Sequence, residues 1–506
     1  MTMRPARRLR VLILALTVAC AACALQATTP VTPAPDDGKP QGAIGERPKG
    51  PAYAVPQLAI GQEGRLYLAW LAFERGKRGD VLFARSEDFG ATWSPPRSLN
   101  PDKAAVAGGI RIAAGPSNTV YVAWRESDVK TKLHTLRFMR SADGGGQWSD
   151  STGLPDPPSD AGLPDLLVNR GGDVSIAWLT GAGGQRHLRV VSSYDAGTTF
   201  LPKPIGLTPA LPASPYGIMN HRLTFDGGSR LYVVWQEIRD WDDKGIYLSW
   251  SVDRGQTWAA QPILVSASGE RKSLAYEPRI SAWPDGRVYI VWEQDEFRAG
   301  YVPGEIKKPD RLIYINRSLD YGQTWLAQPI RLNEAGQGRI NSVSPKLSAD
   351  RRGHIYVTWI EEEGSTRGRL IFARSADSGL TWSAPRVRLD LSSPFKGRLA
   401  HPEIRSDDFG QVWVIWQELN PGPTGWQLLM NRSEDHGKSW RSQATALTGP
   451  AQRGEGFRVV SFLDDAHGRL YVAWDGGPKN SREISVSRST DFGATWLSRD
   501  VYVGGR

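Results

Sequence analysis

Apolar and polar residues alternate in a short segment that ends in tryptophan and recurs eight times along the chain. Clear copies occupy residues 65–70, 287–292 and 469–474. Period-2 runs rich in Val, Ile, Tyr and Trp, bounded by Gly, Asp, Asn and Pro, are typical of antiparallel strands. The pattern therefore predicts eight equivalent strands, which end at Trp70, Trp124, Trp178, Trp235, Trp292, Trp359, Trp416 and Trp474.

Three further strands accompany each of these segments. A short apolar strand precedes it across a turn rich in Gly or Asp, as at residues 278–282. A third strand follows, as at 312–317, and a fourth comes after another turn, as at 328–332. Four strands per unit in eight units predict an all-β fold, a β-propeller of four-stranded antiparallel blades. Eight blades are expected, and seven would result if one unit is irregular.

The turn between the third and fourth strands carries the motif Ser-x-Asp-x-Gly-x-Thr-Trp, as at residues 86–93 and 489–496, in eight exact or near copies. A short Asp side chain can accept N–H bonds within its own turn, and Gly tolerates a positive φ there. The closing tryptophan, replaced by Phe200 in the third copy, is expected to pack between neighbouring blades. A catalytic group is rarely needed eight times, so the motif predicts eight structural carboxylates: Asp88, Asp143, Asp195, Asp253, Asp320, Asp377, Asp435 and Asp491.

The repeated motif is the Asp-box, and over about residues 53–506 the chain resembles the Asp-box (BNR-repeat) proteins of the sialidase superfamily. This resemblance implies a propeller, although sialidases themselves typically have six blades and fewer boxes. Because the same box occurs in enzymes, receptors and assembly factors, it implies no single activity.

The resemblance also implies which groups would act if the chain were a sialidase. Such enzymes use three arginines on the substrate carboxylate, a Tyr nucleophile paired with Glu, and an Asp acid/base. One arginine lies in a Phe-Arg-Ile-Pro motif, whose close relative here is residues 457–460, so the catalytic candidates are Arg458 and Asp475, which follows Trp474. The proline of that motif is missing, and the same position in the other repeats holds no arginine.

A second set of polar residues repeats around the tryptophan strands. Glutamate stands two residues after the tryptophan in four repeats, and arginine recurs on the first strand in three. In this superfamily that strand end faces a funnel opposite the boxes, which predicts a polar ligand site. The alternative is that Glu–Arg pairs join adjacent blades. The residues concerned are Glu126, Glu237, Glu361, Glu418, Arg111, Arg222 and Arg279.

The fifth repeat contains an insertion of about ten residues between Glu293 and Asp310, which includes Tyr301. Long loops on a rigid scaffold often carry binding function. Trp241, within the acidic segment 240–243 of the fourth repeat, is expected to lie beside it. Aromatic rings beside carboxylates suit stacking on a sugar, and they also suit a protein partner.

The N-terminus has the pattern of an export signal: residues 4–10 are basic, residues 11–18 are apolar, and small residues follow. We interpret residues 1–24 as a signal peptide of lipoprotein type, because residues 17–20 resemble a bacterial lipoprotein box. Cys20, or alternatively Cys23, would carry the lipid, and the Pro-rich residues 25–52 would form a flexible tether. The expected location is the bacterial cell envelope, and ordinary cleavage would instead give a soluble periplasmic or secreted protein.

Composition narrows the choice of partners. The formal net charge of the 506 residues is +9, of which four units come from leader arginines. No basic run with interleaved aromatic residues is present, so no nucleic-acid partner is expected. The sequence has no phosphate-binding loop, nucleophile elbow or His pair at metal-ligand spacing, so neither a cofactor nor a metal is expected. We expect a monomer.

Three functions remain open at the level of sequence. The leading one is a non-enzymatic propeller that binds a glycan or protein ligand in the cell envelope, attached to the membrane by its lipid. The second is an exo-glycosidase resembling exo-α-sialidases, which requires a Tyr hydroxyl beside a carboxylate in the funnel. The third is an assembly or scaffold factor of the envelope.

Overall fold

The computed structural model describes most of the chain after residue 51. The described ranges are 52–73, 79–100, 105–128, 130–131, 133–155, 161–181, 186–208, 217–240, 243–266, 274–296, 309–333, 341–363, 367–394, 396–420, 425–448, 460–465, 467–476, 483–497 and 501–504. The predicted signal peptide, residues 1–24, and the predicted tether as far as residue 51 therefore lie outside the described residues, and Ala52, the last residue assigned to the tether, begins the first strand.

Eight four-stranded antiparallel sheets form the fold, so the prediction of an eight-bladed all-β propeller is confirmed. The first four sheets contain β1 (Ala52–Ile60), β2 (Leu66–Phe73), β3 (Asp80–Ser86) and β4 (Arg97–Ser98); β5 (Ala105–Ala114), β6 (Val120–Asp128), β7 (His134–Ser141) and β8 (Thr152–Gly153); β9 (Asp165–Val168), β10 (Val174–Thr180), β11 (His187–Ser193) and β12 (Ile205–Gly206); and β13 (Gly217–Phe225), β14 (Leu231–Asp240), β15 (Asp243–Ser251) and β16 (Ile263–Leu264).

The other four sheets continue the same order, one sheet from four consecutive strands. They contain β17 (Ala275–Ala282), β18 (Val288–Glu296), β19 (Asp310–Ser318) and β20 (Ile330–Arg331); β21 (Ser342–Ala349), β22 (Ile355–Glu363), β23 (Arg367–Ser375) and β24 (Val387–Arg388); β25 (Leu399–Ser406), β26 (Val412–Asn420), β27 (Gly425–Ser433) and β28 (Thr445–Ala446); and β29 (Val460–Asp464), β30 (Leu470–Gly476), β31 (Glu483–Ser489) and β32 (Val501–Gly504).

Two short 3₁₀ turns, Gln62–Gly64 and Leu389–Ser392, are the helical elements within these ranges. In the described part of the chain, no helix has the length and apolar character needed to cross a membrane.

The second strand of each blade is buried on both faces. In β2, for example, every residue from Leu66 to Leu71 is at most 2% exposed. The predicted tryptophan of each second strand is at most 1% exposed, and removing such a side chain costs about 3–5 kcal/mol. The prediction that these strands end at tryptophan is wrong, because β2 continues to Phe73 and β14 continues five residues past Trp235 to Asp240.

The Asp-box turn is closed by hydrogen bonds that repeat from blade to blade. In the fifth box, Ser318 Oγ donates to Asp320 Oδ1 at 2.7 Å, and Gly322 N donates to Ser318 Oγ at 2.8 Å. Thr324 donates twice to the same carboxylate, from its backbone N at 2.9 Å and from its hydroxyl at 2.6 Å. These bonds offset the effect of burial and lower the pKa of Asp320.

The aromatic residue of the box packs against the preceding blade, as predicted. Trp148 of the second blade meets Phe83 of the first edge-on, with ring centroids 4.9 Å apart. Phe200, which replaces the box tryptophan in the third blade, makes the same contact with Phe138 at 4.9 Å. The eight clusters of buried apolar side chains therefore lie between adjacent blades.

An arginine at the end of the third strand adds a polar contact between blades. Its guanidinium donates to a backbone carbonyl in the box of the next blade, at 2.8–3.2 Å. The five donor and acceptor pairs are Arg85 with Gly144, Arg140 with Ala196, Arg317 with Ser378, Arg432 with Phe492, and Arg488 with Phe89.

The ring is closed by packing of the first blade against the eighth. Leu58 N donates to Ser461 Oγ at 3.1 Å, and Arg488 donates to Phe89 O at 2.8 Å. Apolar residues of both blades, including Trp70 and Tyr471, share one buried cluster. The first strands contact one another in sequence around the ring, β1 against β5 and finally β29 against β1, so they surround the propeller axis.

Candidate functional site

A β-bulge recurs in the first strand of six blades. In β17 the pairing with β18 shifts between Tyr276 and Arg279, and Glu277 has a φ of 51°. A bulge bends its strand and redirects the side chains that follow. The equivalent residues with positive φ are Val55, Gly109, Asn220, Ser344 and His401.

The residue two positions after the residue with positive φ, such as Arg279 after Glu277, belongs to a ring of equivalent side chains. Each pairs with the residue that precedes the buried tryptophan of its blade. Seven of the eight line a central cavity of about 550 Å³. Ser461 is the ring member that does not line the cavity. In chain order the ring contains Gln57, Arg111, Asp165, Arg222, Arg279, Lys346, Glu403 and Ser461.

The cavity has an excess of positive charge. Five basic side chains and two carboxylates line it, which gives a formal charge of +3. Its four arginines fold in the same way, because Nη1 donates to the carbonyl of the preceding residue, at 3.2 Å in Arg405 and at 2.8–3.0 Å in the three arginines of the ring. These three are Arg111, Arg222 and Arg279, so the structure brings the predicted arginines together.

Most of the basic groups in the cavity have an acidic neighbour. Lys346 Nζ lies 2.5 Å from Glu403 Oε1, and Arg111 Nε lies 3.7 Å from Asp165 Oδ1. Arg279 Nη2 lies 3.4 Å from Glu277 Oε2.

Arg222 is different from these neighbours. Within the described ranges it forms no ion pair, and burial together with the charge of Arg222 lowers the pKa of Arg279. The preceding residue, His221, is buried, which lowers its pKa to about 4 and leaves it neutral near pH 7. Among the five basic side chains that line the cavity, Arg222 is therefore the one without a carboxylate partner in the described ranges.

A cluster of polar side chains lies at the end of β17 that is farther from the boxes. The hydroxyl of Tyr276 donates to Asp295 Oδ2 at 3.0 Å, and Lys244 Nζ donates to that hydroxyl at 3.2 Å. Arg311 forms two hydrogen bonds with Asp295, at 2.7 and 3.0 Å, and its guanidinium lies 4.5 Å from the centre of the Tyr276 ring. Burial and then the charge of Asp295 raise the pKa of Tyr276, so its hydroxyl is protonated near neutral pH.

The four predicted glutamates lie within their strands and do not line the cavity. Glu126, Glu361 and Glu418 accept the indole N–H of their own tryptophan, at 3.0, 3.4 and 3.3 Å. Glu237 is 3% exposed and accepts a hydrogen bond from Arg239 of the same strand at 2.8 Å.

With the residues that the structure describes, these glutamates do not form the Glu–Arg pairs between blades that the alternative interpretation predicted. Glu126 pairs with Arg137, which lies on the neighbouring strand of the same blade, at 2.8 Å. Because side chains alternate between the two faces of a strand, a residue two positions after the tryptophan lies on the same face as the tryptophan, which packs between blades, and not in the funnel.

The remaining candidate residues are placed as follows. Asp475 is fully buried in β30 and does not contact the cavity. Arg458, Trp241 and Tyr301 lie outside the described residues, together with most of the insertion of the fifth repeat, residues 297–308. The two cysteines, Cys20 and Cys23, also lie outside them.

Residue type alone does not reveal the other members of the ring, which are Gln57, Asp165, Lys346, Glu403 and Ser461. A signal for them exists, because all eight ring residues stand thirteen positions before the tryptophan of their blade. The three arginines were recognisable by their shared residue type, whereas the ring is defined by the separation of thirteen residues from the tryptophan.

No protein-family model matches the chain, and no curated protein matches its sequence. Among solved structures, an ulvan lyase is 14% identical, with a TM-score of 0.48 and coverage of 75% of this chain and 91% of that one. An α-L-arabinanase of Penicillium chrysogenum is 16% identical, with a TM-score of 0.41 and coverage of 67% and 96%. A Hadza microbial sialidase is 17% identical, with a TM-score of 0.34 and coverage of 62% and 63%. At these identities none of the three indicates what this chain binds.

Proposed function

We propose that this chain is an Asp-box propeller of the bacterial cell envelope that binds an acidic saccharide in its central cavity. The observation that carries the proposal is Arg222, a cavity-lining guanidinium without an ion pair in the described part of the chain. Arg111, Arg279 and Lys346 line the same cavity and keep the region positive. A carboxylate or sulfate would neutralise this charge.

The size and chemistry of the cavity suit a sugar with an anionic group. A volume of about 550 Å³ is within the usual range of small-ligand sites, about 300–1,000 Å³. A guanidinium presents its N–H donors in a planar fork that matches a carboxylate or sulfate. The remaining charged and polar side chains, such as Gln57 and Glu403, can bond to sugar hydroxyls.

The test is isothermal titration calorimetry of the purified chain with 3′-sialyllactose, a glucuronate-terminated disaccharide and neutral lactose. We expect at least one acidic sugar to bind tenfold or more tightly than lactose. Arg222→Gln is expected to weaken that binding at least tenfold, which is about 1.4 kcal/mol, without changing the thermal midpoint.

A matched control removes the same charge elsewhere. Lys203 is exposed and lines neither the central cavity nor the adjoining cavity that shares Arg405 with it, so Lys203→Gln should bind the acidic sugar as the wild type does. Equal affinity of Arg222→Gln and wild type would contradict the proposal.

A second candidate function is glycoside hydrolysis, which is favoured by the contact of Tyr276 with Asp295. A Tyr nucleophile needs a carboxylate that can take its proton, and Asp295 Oδ2 is 3.0 Å from the hydroxyl. Arg279 of the cavity stands on the same strand, three residues away.

The raised pKa of Tyr276 opposes nucleophilic attack by its hydroxyl, so we expect a fluorogenic sialoside to be hydrolysed no faster by the wild type than by Tyr276→Phe or Arg458→Ala. Turnover by the wild type that both substitutions abolish would replace the binding function with an exo-sialidase activity.

A further inference from the structure

Two imidazoles and a carboxylate converge between the sixth and seventh blades, away from the central cavity. Asp350 follows β21, His354 precedes β22, and His436 lies in the Asp-box turn after β27. His354 Nδ1 is 2.7 Å and His436 Nδ1 is 3.6 Å from Asp350 Oδ2. Within the described ranges this is the one group of three or more His, Cys, Asp or Glu whose donor atoms all lie within 4.8 Å.

The same three positions are occupied differently between other blades. Between the fourth and fifth blades, Asp226 pairs with Arg230, whose guanidinium lies 3.7 Å from the ring centre of Tyr321. The equivalent residues between the eighth and first blades are Asp465, Arg469 and Phe89, with a cation–ring distance of 4.0 Å. Those contacts consist of a carboxylate, a cation and an aromatic ring.

Histidine replaces both the arginine and the aromatic residue between blades 6 and 7. The chain has seven histidines, and here two of them stand with their ring centroids 4.2 Å apart. An imidazole carries no permanent charge and cannot reproduce the guanidinium contact, but it is a common metal ligand. A divalent cation held by both imidazoles would restore a positive charge beside Asp350.

The donor atoms have the orientation and access that a metal requires. Asp350 Oδ1 accepts the backbone N–H groups of Arg352 and His354, at 2.9 and 3.0 Å, which directs Oδ2 towards the imidazoles. The Asp350 side chain is fully buried, whereas each imidazole is 18% exposed, so part of each ring is in contact with solvent. The Tyr356 hydroxyl, 3.1 Å from Asp350 Oδ2, further fixes the carboxylate.

We propose that Asp350, His354 and His436 form a site for a late first-row divalent cation, Zn²⁺ in particular. Zinc bonds of about 2.0–2.2 Å place tetrahedral ligand atoms roughly 3.3 Å apart, a value between the present 2.7 and 3.6 Å. Two imidazoles and one carboxylate leave a fourth position for water on the exposed side, and this donor set favours Zn²⁺ over Ca²⁺ or Mg²⁺. The bound ion would join blades 6 and 7.

The test compares the wild-type chain, after treatment with a chelator, with the double variant His354→Arg/His436→Phe. This variant recreates the Arg469–Phe89 contact, and Phe89 already adopts a φ of 58°, the value found for His436. The backbone at position 436 therefore accepts phenylalanine. Calorimetry with ZnCl₂, and with CaCl₂ as a comparison, measures stoichiometry, and thermal unfolding measures stabilisation.

We expect the wild type to bind one more Zn²⁺ per chain than the double variant, with no difference for Ca²⁺. At a hundredfold excess over the dissociation constant, Zn²⁺ should raise the wild-type midpoint by about 3 °C and leave that of the variant unchanged. Equal Zn²⁺ stoichiometry in the two proteins, including binding by neither, would overturn the proposal. Any zinc bound by Cys20 and Cys23 is present in both proteins and cancels in the comparison.

Discussion

Glu293, which follows Trp292 in β18, shows how burial controls the charge of a single residue. It is 4% exposed, and its Oε1 accepts the backbone N–H of Ser344, in the bulge of the next blade, at 2.8 Å. Burial raises its pKa from 4.5 to about 7, against the opposing effects of that hydrogen bond and of Arg311. The folded chain therefore retains a proton on Glu293 at pH values where the unfolded chain has lost it.

This retained proton predicts a pH dependence of stability. Between pH 4.5 and 7 the folded state binds more protons at Glu293 than the unfolded state does, so its contribution to the free energy of unfolding falls as pH rises. Glu293→Gln keeps an oxygen acceptor for Ser344 N and removes the titration. Relative to the wild type, this variant should gain about 3 kcal/mol of stability from pH 4.5 to pH 7.5, at 1.36 kcal/mol per pKa unit.

Urea unfolding at pH 4.5, 6.0 and 7.5 measures this difference for the Glu293 variant. The control is Asp150→Asn, which removes the charge of an exposed carboxylate that forms no ion pair with the described residues and should not reproduce the gain between pH 4.5 and 7.5. A constant difference between Glu293→Gln and wild type across the three pH values would contradict the assignment of the raised pKa to Glu293.

The Asp-box fixes the turn between the third and fourth strands of each blade. Its contribution to the free energy of unfolding can be measured in one copy. Asp320→Ala removes the acceptor of three hydrogen bonds, two from Thr324 and one from Ser318. By analogy with the loss of a helix cap or of a few exposed side-chain bonds, we expect a loss of about 1–2 kcal/mol. Asp320→Asn should lose less, because its Oδ1 still accepts Thr324 N.

Denaturant unfolding of these variants is compared with Asp150→Ala. Asp150 is exposed, and its side chain forms no hydrogen bond with the described residues, so its removal should change stability by less than about 0.5 kcal/mol. A cost for Asp320→Ala no larger than that of Asp150→Ala would mean that the turn is held by its backbone alone.

The strands and turns that recur with a regular period were predictable from the sequence. Features that depend on contact with a neighbouring blade were not. Burial on both faces makes the second strands continuous apolar runs, and the boxes fix the turn after each third strand. Glu237 was predicted to lie in the funnel, but β14 continues past Trp235 to Asp240. The alternation of apolar and polar residues does not define where a strand that is buried by adjacent sheets ends. His354 and His436 belong to consecutive repeats, so no spacing within one repeat predicts their contact.

At the scale of the whole molecule, the composition of the cavity follows from the order of the repeats. Each blade contributes one side chain at the same offset, and the circular arrangement places Arg222 between Asp165 and Arg279. The sequence alone predicts the number of contributors, because it predicts the number of blades. The bulges that direct these side chains inward, as at Glu277, are set by backbone conformation and have no clear signature in residue type.

Every sheet, including those of the first and eighth blades, consists of four consecutive strands, and the ring closes through side-chain packing and the contacts of Ser461 and Arg488. Duplication or loss of a gene segment that encodes one repeat would therefore leave every sheet intact. Such an event would change the number of blades by one and add or remove one member of the inner ring. Ligand preference in such a lineage can change through whole repeats as well as through point substitutions.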